Sequence, residues 1–161
     1  SISLLLFGFS NCGSSQGKNT VTFEENPSFA ISEIYSQDWI SGTREGGSGT
    51  NLYITFQDIS GDVVIEQLFF RNKTEEAKRA RNNPNVFTGY FKNETSRDAI
   101  MDSNPEKEAQ NTPPNPFPFN LKENEAVIRY KVNEDTKFFK VSEIAQRPTI
   151  AYPSANPNGI D

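Results

Sequence analysis

The stretch Asn51-Leu-Tyr-Ile-Thr-Phe-Gln57 alternates apolar and polar side chains along its whole length. Such alternation is typical of a β-strand with one buried face and one solvated face. The next apolar run, Val63-Val-Ile-Glu-Gln-Leu-Phe-Phe70, follows a short Ser-Gly-Asp turn and is rich in β-branched and aromatic residues, which favour strands. We therefore predict a β-hairpin over residues 51–71 at the centre of a sheet.

Strand-like segments also occur on both sides of this predicted hairpin. Residues 29–40 and 86–91 are rich in aromatic and β-branched side chains, and the apolar phase of the first shifts between Ile31 and Ile34, which indicates a β-bulge. Residues 125–132 and 136–144 predict a second hairpin across an Asn-Glu-Asp turn.

Two shorter segments complete the secondary-structure prediction. Residues 149–152 lie between Pro148 and Pro153, as an edge strand allows. Residues 74–81 contain helix formers without an apolar face, which predicts one or two helical turns on the surface. We expect a mainly β fold, a single antiparallel β-sandwich or open barrel of about six to eight short strands with one short helix at most.

Composition excludes several classes of function. The chain has 161 residues, a net charge of −5 and a pI near 4.9, which argues against a nucleic-acid partner because such binding needs clustered cations. It has no histidine and one cysteine, so a Ser-His-Asp or Cys-His catalytic pair is excluded and the commonest metal ligand is missing. We expect a protein that is not an enzyme and that needs neither a cofactor nor a metal.

The amino-terminal region has the pattern of an export signal. Residues 1–11 form an apolar, uncharged block of the length of a signal-peptide core, which we interpret as a signal peptide that is incomplete at its amino end. Cys12 follows Phe-Ser-Asn and precedes Gly-Ser-Ser-Gln, which resembles a bacterial lipobox and predicts lipid attachment at Cys12. The alternatives are a small buried cysteine at the end of a strand, or a free thiol after cleavage elsewhere.

This interpretation divides the chain into four parts. The signal peptide (residues 1–11) is followed by the lipidated cysteine and a polar, flexible tether (residues 12–27). A β-rich domain is expected over residues 28–153, and the tail over residues 154–161 is expected to be disordered.

Candidate contact residues lie in a glycine loop and among the aromatic residues. Backbone N–H groups around Gly46, Gly47, Ser48 and Gly49 could bind an anion, although glycines that permit positive φ angles explain the same pattern. Trp39 and Tyr53 could stack on a sugar or contact a partner, although a role as core anchor is favoured for the single tryptophan.

A proline-rich segment and an acidic loop are the other candidates. Residues 112–119 carry Phe117 and Phe119, either as a recognition segment for an aromatic groove or as a rigid strap that plugs both rings into the core. The acidic loop could bind Ca²⁺ or hold a carboxylate pair for hydrolysis, although its spacing matches no EF-hand and a solvated loop explains it. Its carboxylates are Asp98, Asp102, Glu106 and Glu108.

As a set, several segments resemble small flavobacterial (Bacteroidota) lipoproteins that have no assigned function. The resemblance covers about residues 39–153 and brings no catalytic or binding residue with it. It is carried in one half by Trp39, Gly42, residues 46–49, Phe69-Phe70-Arg71 and residues 104–106, and in the other half by residues 118–128, 137–141 and 151–153.

The resemblance implies a lipoprotein of the outer membrane. Because no acidic run follows Cys12, it favours the periplasmic face over the cell surface. We expect a non-enzymatic envelope lipoprotein that acts as an accessory or interaction subunit of an outer-membrane protein assembly, with the membrane and an envelope protein as partners. The alternative is a glycan- or small-molecule-binding lipoprotein that uses the glycine loop and neighbouring aromatic residues.

Overall fold

The computed structural model describes residues 21–43, 45–93 and 117–153. Within these ranges the protein is all-β, and no helix that could cross a membrane occurs in them. The strands are β1 (Phe29–Ser41), β2 (Ser48–Ile59), β3 (Val63–Phe70), β4 (Lys73–Glu76), β5 (Lys78–Arg79), β6 (Val86–Lys92), β7 (Ala126–Val132), β8 (Asp135–Val141) and β9 (Ala145–Tyr152).

The nine strands form two sheets. One sheet has the strand order β5-β6-β2-β1-β9 and the other has the order β4-β3-β7-β8. Neighbouring strands are antiparallel, except that β9 pairs with β1 in parallel. The predicted mainly β fold is confirmed. The strand count exceeds the predicted six to eight because each sheet has an additional short strand at one edge, β5 in one and β4 in the other.

The predicted hairpin over residues 51–71 is wrong. β2 and β3 follow each other in sequence, but they belong to different sheets, and the Ser-Gly-Asp turn carries the chain from one sheet to the other. The core-facing side chains of both strands explain this, since Leu52 and Ile54 of β2 and Leu68 of β3 are all fully buried. Placing the two strands in separate sheets allows these two apolar faces to pack against each other.

The predicted helical turns over residues 74–81 are also wrong. This segment forms β4, which pairs with β3, and β5, which pairs with β6. Between them, the Ala77 amide donates to the carbonyl oxygen of Glu66 at 2.9 Å. Helix propensity is a weak preference, and here the hydrogen bonds offered by two unpaired sheet edges override it.

Other sequence predictions are confirmed. β7 and β8 form the second hairpin, in which Asn133 adopts a φ of 55° in the tight turn. The register of β1 against β2 shifts at Ile31, which is the predicted bulge. The predicted edge strand is part of β9, although β9 begins at Ala145 and therefore contains Pro148.

The core lies between the two sheets and is rich in aromatic rings. Phe29 of β1 contacts Tyr130 of β7 edge to face, with 4.9 Å between the ring centroids. Phe70 of β3 contacts Phe91 of β6 at 5.8 Å. Each such pair contributes about 0.5–1.5 kcal/mol beyond the apolar area that it buries, so these contacts hold the two sheets together.

The last residues of the predicted tether pack against the domain. The Phe23 ring lies 5.7 Å from the Phe119 ring, and the Glu24 amide donates to the carbonyl oxygen of Phe138 in β8 at 2.8 Å. The Glu24 carboxylate also pairs with Lys137 at 3.1 Å. This segment therefore lies along the edge of the four-stranded sheet. The signal peptide, Cys12, the four loop carboxylates and the tail lie outside the described residues.

Candidate functional site

An open cleft of about 350 Å³ lies at the end of the sandwich where β1, β3 and β6 finish and β2 and β4 begin. Three residues predicted from sequence line this cleft, namely Trp39, Ser48 and Gly49. The same cleft is lined by charged residues from both sheets, and these determine its electrostatic character. They are Asp38, Arg71 and Lys73.

Asp38 is the centre of a polar network that joins the two sheets. Its Oδ1 accepts hydrogen bonds from the Thr50 hydroxyl at 2.6 Å and from Nη1 of Arg71 at 3.0 Å. Its Oδ2 accepts a third from the Gln146 side-chain amide at 2.8 Å. Both carboxylate oxygens of Asp38 are therefore engaged by the protein.

Arg71 occupies an unusual backbone position. It and Asn72 form the two-residue turn between β3 and β4, with φ angles of 46° and 60°. Turns of this kind favour Asn and Gly, and a left-handed conformation costs an ordinary L-residue about 1–2 kcal/mol. The turn directs the guanidinium over the Phe70 ring, 5.0 Å from its centroid, and towards Asp38 in the opposite sheet. Contacts of the side chain, rather than turn propensity, explain an arginine here.

The Arg71 guanidinium is only partly used by these contacts. Both of its hydrogen bonds to described residues, with Asp38 and with Thr50, come from Nη1. Nε is buried and has no hydrogen-bond partner among the described residues. The side chain is 27% exposed, so the guanidinium is accessible from the cleft.

Lys73 adds a second positive charge to the cleft. Its Nζ donates to the Lys92 carbonyl oxygen at 2.9 Å and to the Asn93 side-chain oxygen at 3.0 Å. Both acceptors are neutral, so these bonds position the ammonium group without cancelling its charge. The three ionisable residues named above therefore give the cleft one net positive charge, in a chain whose net charge is −5.

Trp39 anchors the structure and does not offer a ring face to a ligand. It is 6% exposed and pairs with Gly49 in the ladder between β1 and β2. A Cβ atom placed on Gly49 would lie 2.8 Å from Cε2 and Cζ2 of Trp39 and 2.6 Å from the Phe91 carbonyl oxygen. Gly49 is therefore required by the close approach of the indole ring and a neighbouring strand.

The structure places Gly46 and Gly47 in the turn between β1 and β2, outside the residues that line the cleft. Gly47 has a φ of 68°, and its carbonyl oxygen accepts from the Ser41 amide at 2.9 Å. The Gly46 amide donates to the Thr43 side chain at 3.1 Å. Gly47 therefore has the positive φ angle that the sequence allowed for. The Gly46 amide donates within the turn, so it is not available to bind an anion as the other alternative required.

Tyr53 lies away from the cleft, in a row of stacked side chains that crosses three strands. Its ring stacks on that of Tyr35 in β1, with 4.9 Å between centroids and 24° between the planes. Arg147 of β9 covers the Tyr35 ring at 3.4 Å and pairs with Glu33. Burial raises the pKa of Tyr35, and the positive charge of Arg147 partly opposes this effect. The row fastens the edge strand β9, and it occupies both faces of Tyr35 and one face of Tyr53.

Phe117 and Phe119 belong to a separate cluster of five phenylalanine rings. Phe119 is central to it, with ring centroids 4.8 Å from Phe69, 5.8 Å from Phe138 and 5.7 Å from Phe23. Phe117 contacts Phe69 and Phe119, each at 6.1 Å. The described end of the proline-rich segment is thus a strap, but it packs outside the core between the sheets. We call this group, Phe23, Phe69, Phe117, Phe119 and Phe138, the phenylalanine cluster.

Sequence reasoning missed the charged residues of the cleft. Asp38 and Lys73 had no motif to mark them, and Arg71 appeared only within the resemblance. The available signal was an arginine followed by asparagine directly after the strand-like segment that ends at Phe70, a position where a tight turn can follow. Within residues 21–43, 45–93 and 117–153, no group of three or more carboxylate, cysteine or histidine side chains is arranged to hold a metal ion.

Comparison with known proteins adds no assignment, since no protein-family model, no curated protein and no solved structure matches this chain. The cleft and the phenylalanine cluster are therefore the two features of the structure that bear on function.

Proposed function

We propose that this protein is a non-enzymatic lipoprotein of the bacterial envelope, anchored through Cys12, that serves as an interaction subunit of an outer-membrane protein assembly. The observation that carries the proposal is the phenylalanine cluster on a sheet face outside the core. Four of its rings, those of Phe23, Phe117, Phe119 and Phe138, are only partly buried. Contiguous apolar surface of this kind marks interaction sites, and phenylalanine is enriched at protein interfaces.

The position of the cluster in the chain favours a partner near the membrane. Cys12 precedes Phe23, a member of the cluster, by 11 residues. A flexible polar chain of that length has a root-mean-square span of about 17–20 Å. An anchor at Cys12 would therefore hold the cluster within reach of the exposed parts of an outer-membrane protein.

Co-purification from native membranes tests the proposal. The full chain would be extracted in mild detergent and purified by affinity, as wild type, as Phe117→Ser and as Val64→Ser. Phe117 is suitable because it contacts two rings of the cluster while Phe119 contacts four, so its loss leaves the centre of the cluster in place. Val64 is a matched control, since it is apolar and 56% exposed and is not a member of the phenylalanine cluster.

We expect one outer-membrane protein in stoichiometric amount with the wild type and with Val64→Ser, and its loss with Phe117→Ser. Recovery of the wild-type chain alone would contradict the proposal. Equal recovery of a partner with Phe117→Ser would show that Phe117 does not contribute to the interface, which would contradict a role for the phenylalanine cluster. Circular dichroism of the three proteins would verify that they are equally folded.

A second candidate function, the binding of a small molecule or glycan, is favoured by the cleft. Its volume of about 350 Å³ lies within the range of small-molecule sites, and it contains Ser48 and Gly49 of the predicted site. The stacking role proposed for Trp39 is not available to such a ligand because the ring is buried. A ligand would have to be held by the charged groups instead.

A further inference from the structure

We infer that the cleft is a carboxylate-binding site, in which Arg71 and Lys73 hold one carboxylate carried on a body the size of a single sugar ring. This inference rests on the second candidate function and is independent of the phenylalanine cluster. Three features support it: the charge of the cleft, the Nη2 of Arg71 that the described residues leave unengaged, and the size and walls of the cavity.

The charge of the cleft calls for one negative group. Asp38 is bound by Thr50, Arg71 and Gln146, so its charge is satisfied within the protein. Lys73 donates hydrogen bonds only to neutral oxygens among the residues that the structure describes, and the Glu75 carboxylate acts on its charge electrostatically. A monocarboxylate would neutralise the remaining charge, whereas a phosphate dianion would leave an excess negative charge beside Asp38.

The donors of Arg71 suit a carboxylate. A guanidinium group has five N–H donors in a planar fork, and its hydrogen bonds to a carboxylate are charge-assisted. In the described part of the chain, Nη1 of Arg71 is engaged and Nε is buried, so Nη2 is the nitrogen left to donate to a ligand. Asp38 and Thr50 hold Nη1, so the side chain is ordered before a ligand arrives, which reduces the entropic cost of binding.

The size and walls of the cavity limit the rest of the ligand. A volume of about 350 Å³ is near the lower limit for small-molecule sites. Phe70 and Phe91 form buried apolar walls, Ile40 is 54% exposed at the rim, and Ser48 and Asn93 add polar groups. A compact acid with both hydroxyl and C–H surface, such as a uronic acid, has the corresponding chemistry.

Nuclear magnetic resonance titration of the full chain tests this inference. D-glucuronate would be compared with D-glucose, which has the same ring without the carboxylate. We expect saturable shifts at the Lys73 and Asn93 backbone amides with glucuronate and none with glucose. N-acetylglycine, which carries the carboxylate on a peptide group, would show whether a sugar acid or a peptide terminus fits better.

Three substitutions make the result specific. Lys73→Gln removes the charge and keeps an N–H donor on a side chain that is one atom shorter, and we expect at least about a tenfold loss of affinity for glucuronate, as for a charge-assisted hydrogen bond. Arg147→Gln, which removes an arginine outside the cleft, should leave the affinity unchanged. Arg71→Gln should also abolish binding. Lys73→Gln is the more informative variant, because Arg71 also joins the two sheets through Asp38 and its loss could disturb the fold.

Equal shifts with glucose, or unchanged glucuronate affinity in Lys73→Gln, would overturn the carboxylate site. The absence of shifts with both acids in the folded wild type would also overturn it. None of these outcomes affects the co-purification experiment, so failure of the carboxylate site and failure of the interaction role are distinguishable.

Discussion

Gly49→Ala should destabilise the domain severely. The new Cβ would lie 2.6 Å from the Phe91 carbonyl oxygen and 2.8 Å from two atoms of the Trp39 ring, whereas ordinary contacts lie at 3.4–4 Å. The carbonyl belongs to the neighbouring strand β6 and the indole ring is buried, so neither can move freely. Overpacking typically costs about 1–3 kcal/mol, and two unyielding contacts place Gly49→Ala near the upper end, at about 3 kcal/mol.

Urea unfolding measures this loss directly. Trp39 is the single tryptophan and is 6% exposed, so its fluorescence reports the site and the global transition together. A loss of about 3 kcal/mol is a large part of the 5–15 kcal/mol that stabilises a typical domain, and it should lower the melting temperature by about 10 °C.

The control is Gly61→Ala, because a Cβ at Gly61 would meet nothing within 4 Å. Its stability should equal that of the wild type or exceed it slightly, since alanine restricts the unfolded chain. If Gly49→Ala were as stable as Gly61→Ala, the packing of Trp39 over Gly49 and its structural explanation would be refuted.

Three further predictions follow from the core, from a buried carboxylate and from the proposed anchor. Ile54→Asp should unfold the domain, because an unpaired carboxylate would be buried at a fully enclosed position at a cost of several kcal/mol; a wild-type urea midpoint would contradict this. Hydrogen bonds from the Lys122 amide and from Lys140 lower the pKa of Glu125 below its ordinary value. The ionised Glu125 carboxylate therefore stabilises the folded state above the unfolded-state pKa, and this stabilisation is lost as pH falls through the folded-state pKa. Glu125→Gln should therefore be less stable than the wild type at neutral pH, with the difference shrinking in acid; a difference independent of pH would count against it. Cys12→Ser should move the protein from the membrane pellet to the soluble fraction, and its retention in the pellet would argue against the lipid anchor.

Local patterns predicted the strands well and their partners less well. Asn133, at the tight turn between two alternating segments, was enough to predict the β7–β8 hairpin, because such a turn leaves little choice of pairing. The turn at Gly61 is one residue longer, and it joins two sheets. Alternation shows that β2 and β3 each bury one face, but it does not show whether those faces lie side by side or opposite each other.

The candidate site shows the same limitation. Trp39 and Gly49 were considered separately, as an aromatic residue and as part of a glycine loop, while the structure shows that one packs on the other. Arg71 and Asp38 are far apart in sequence and come together only because β1 and β3 end at the same end of the sandwich. Contacts between sheets depend on topology, which a single sequence does not reveal through its periodicity.

Site-specific photocrosslinking in intact cells tests the central claim most directly. A photoreactive amino acid would replace Phe117 in one strain and Val64 in another, within the full chain. We expect a crosslink from position 117 to one outer-membrane protein and none to that protein from position 64. The absence of a protein crosslink from position 117, or the same crosslinks from both positions, would contradict an interaction role for the phenylalanine cluster.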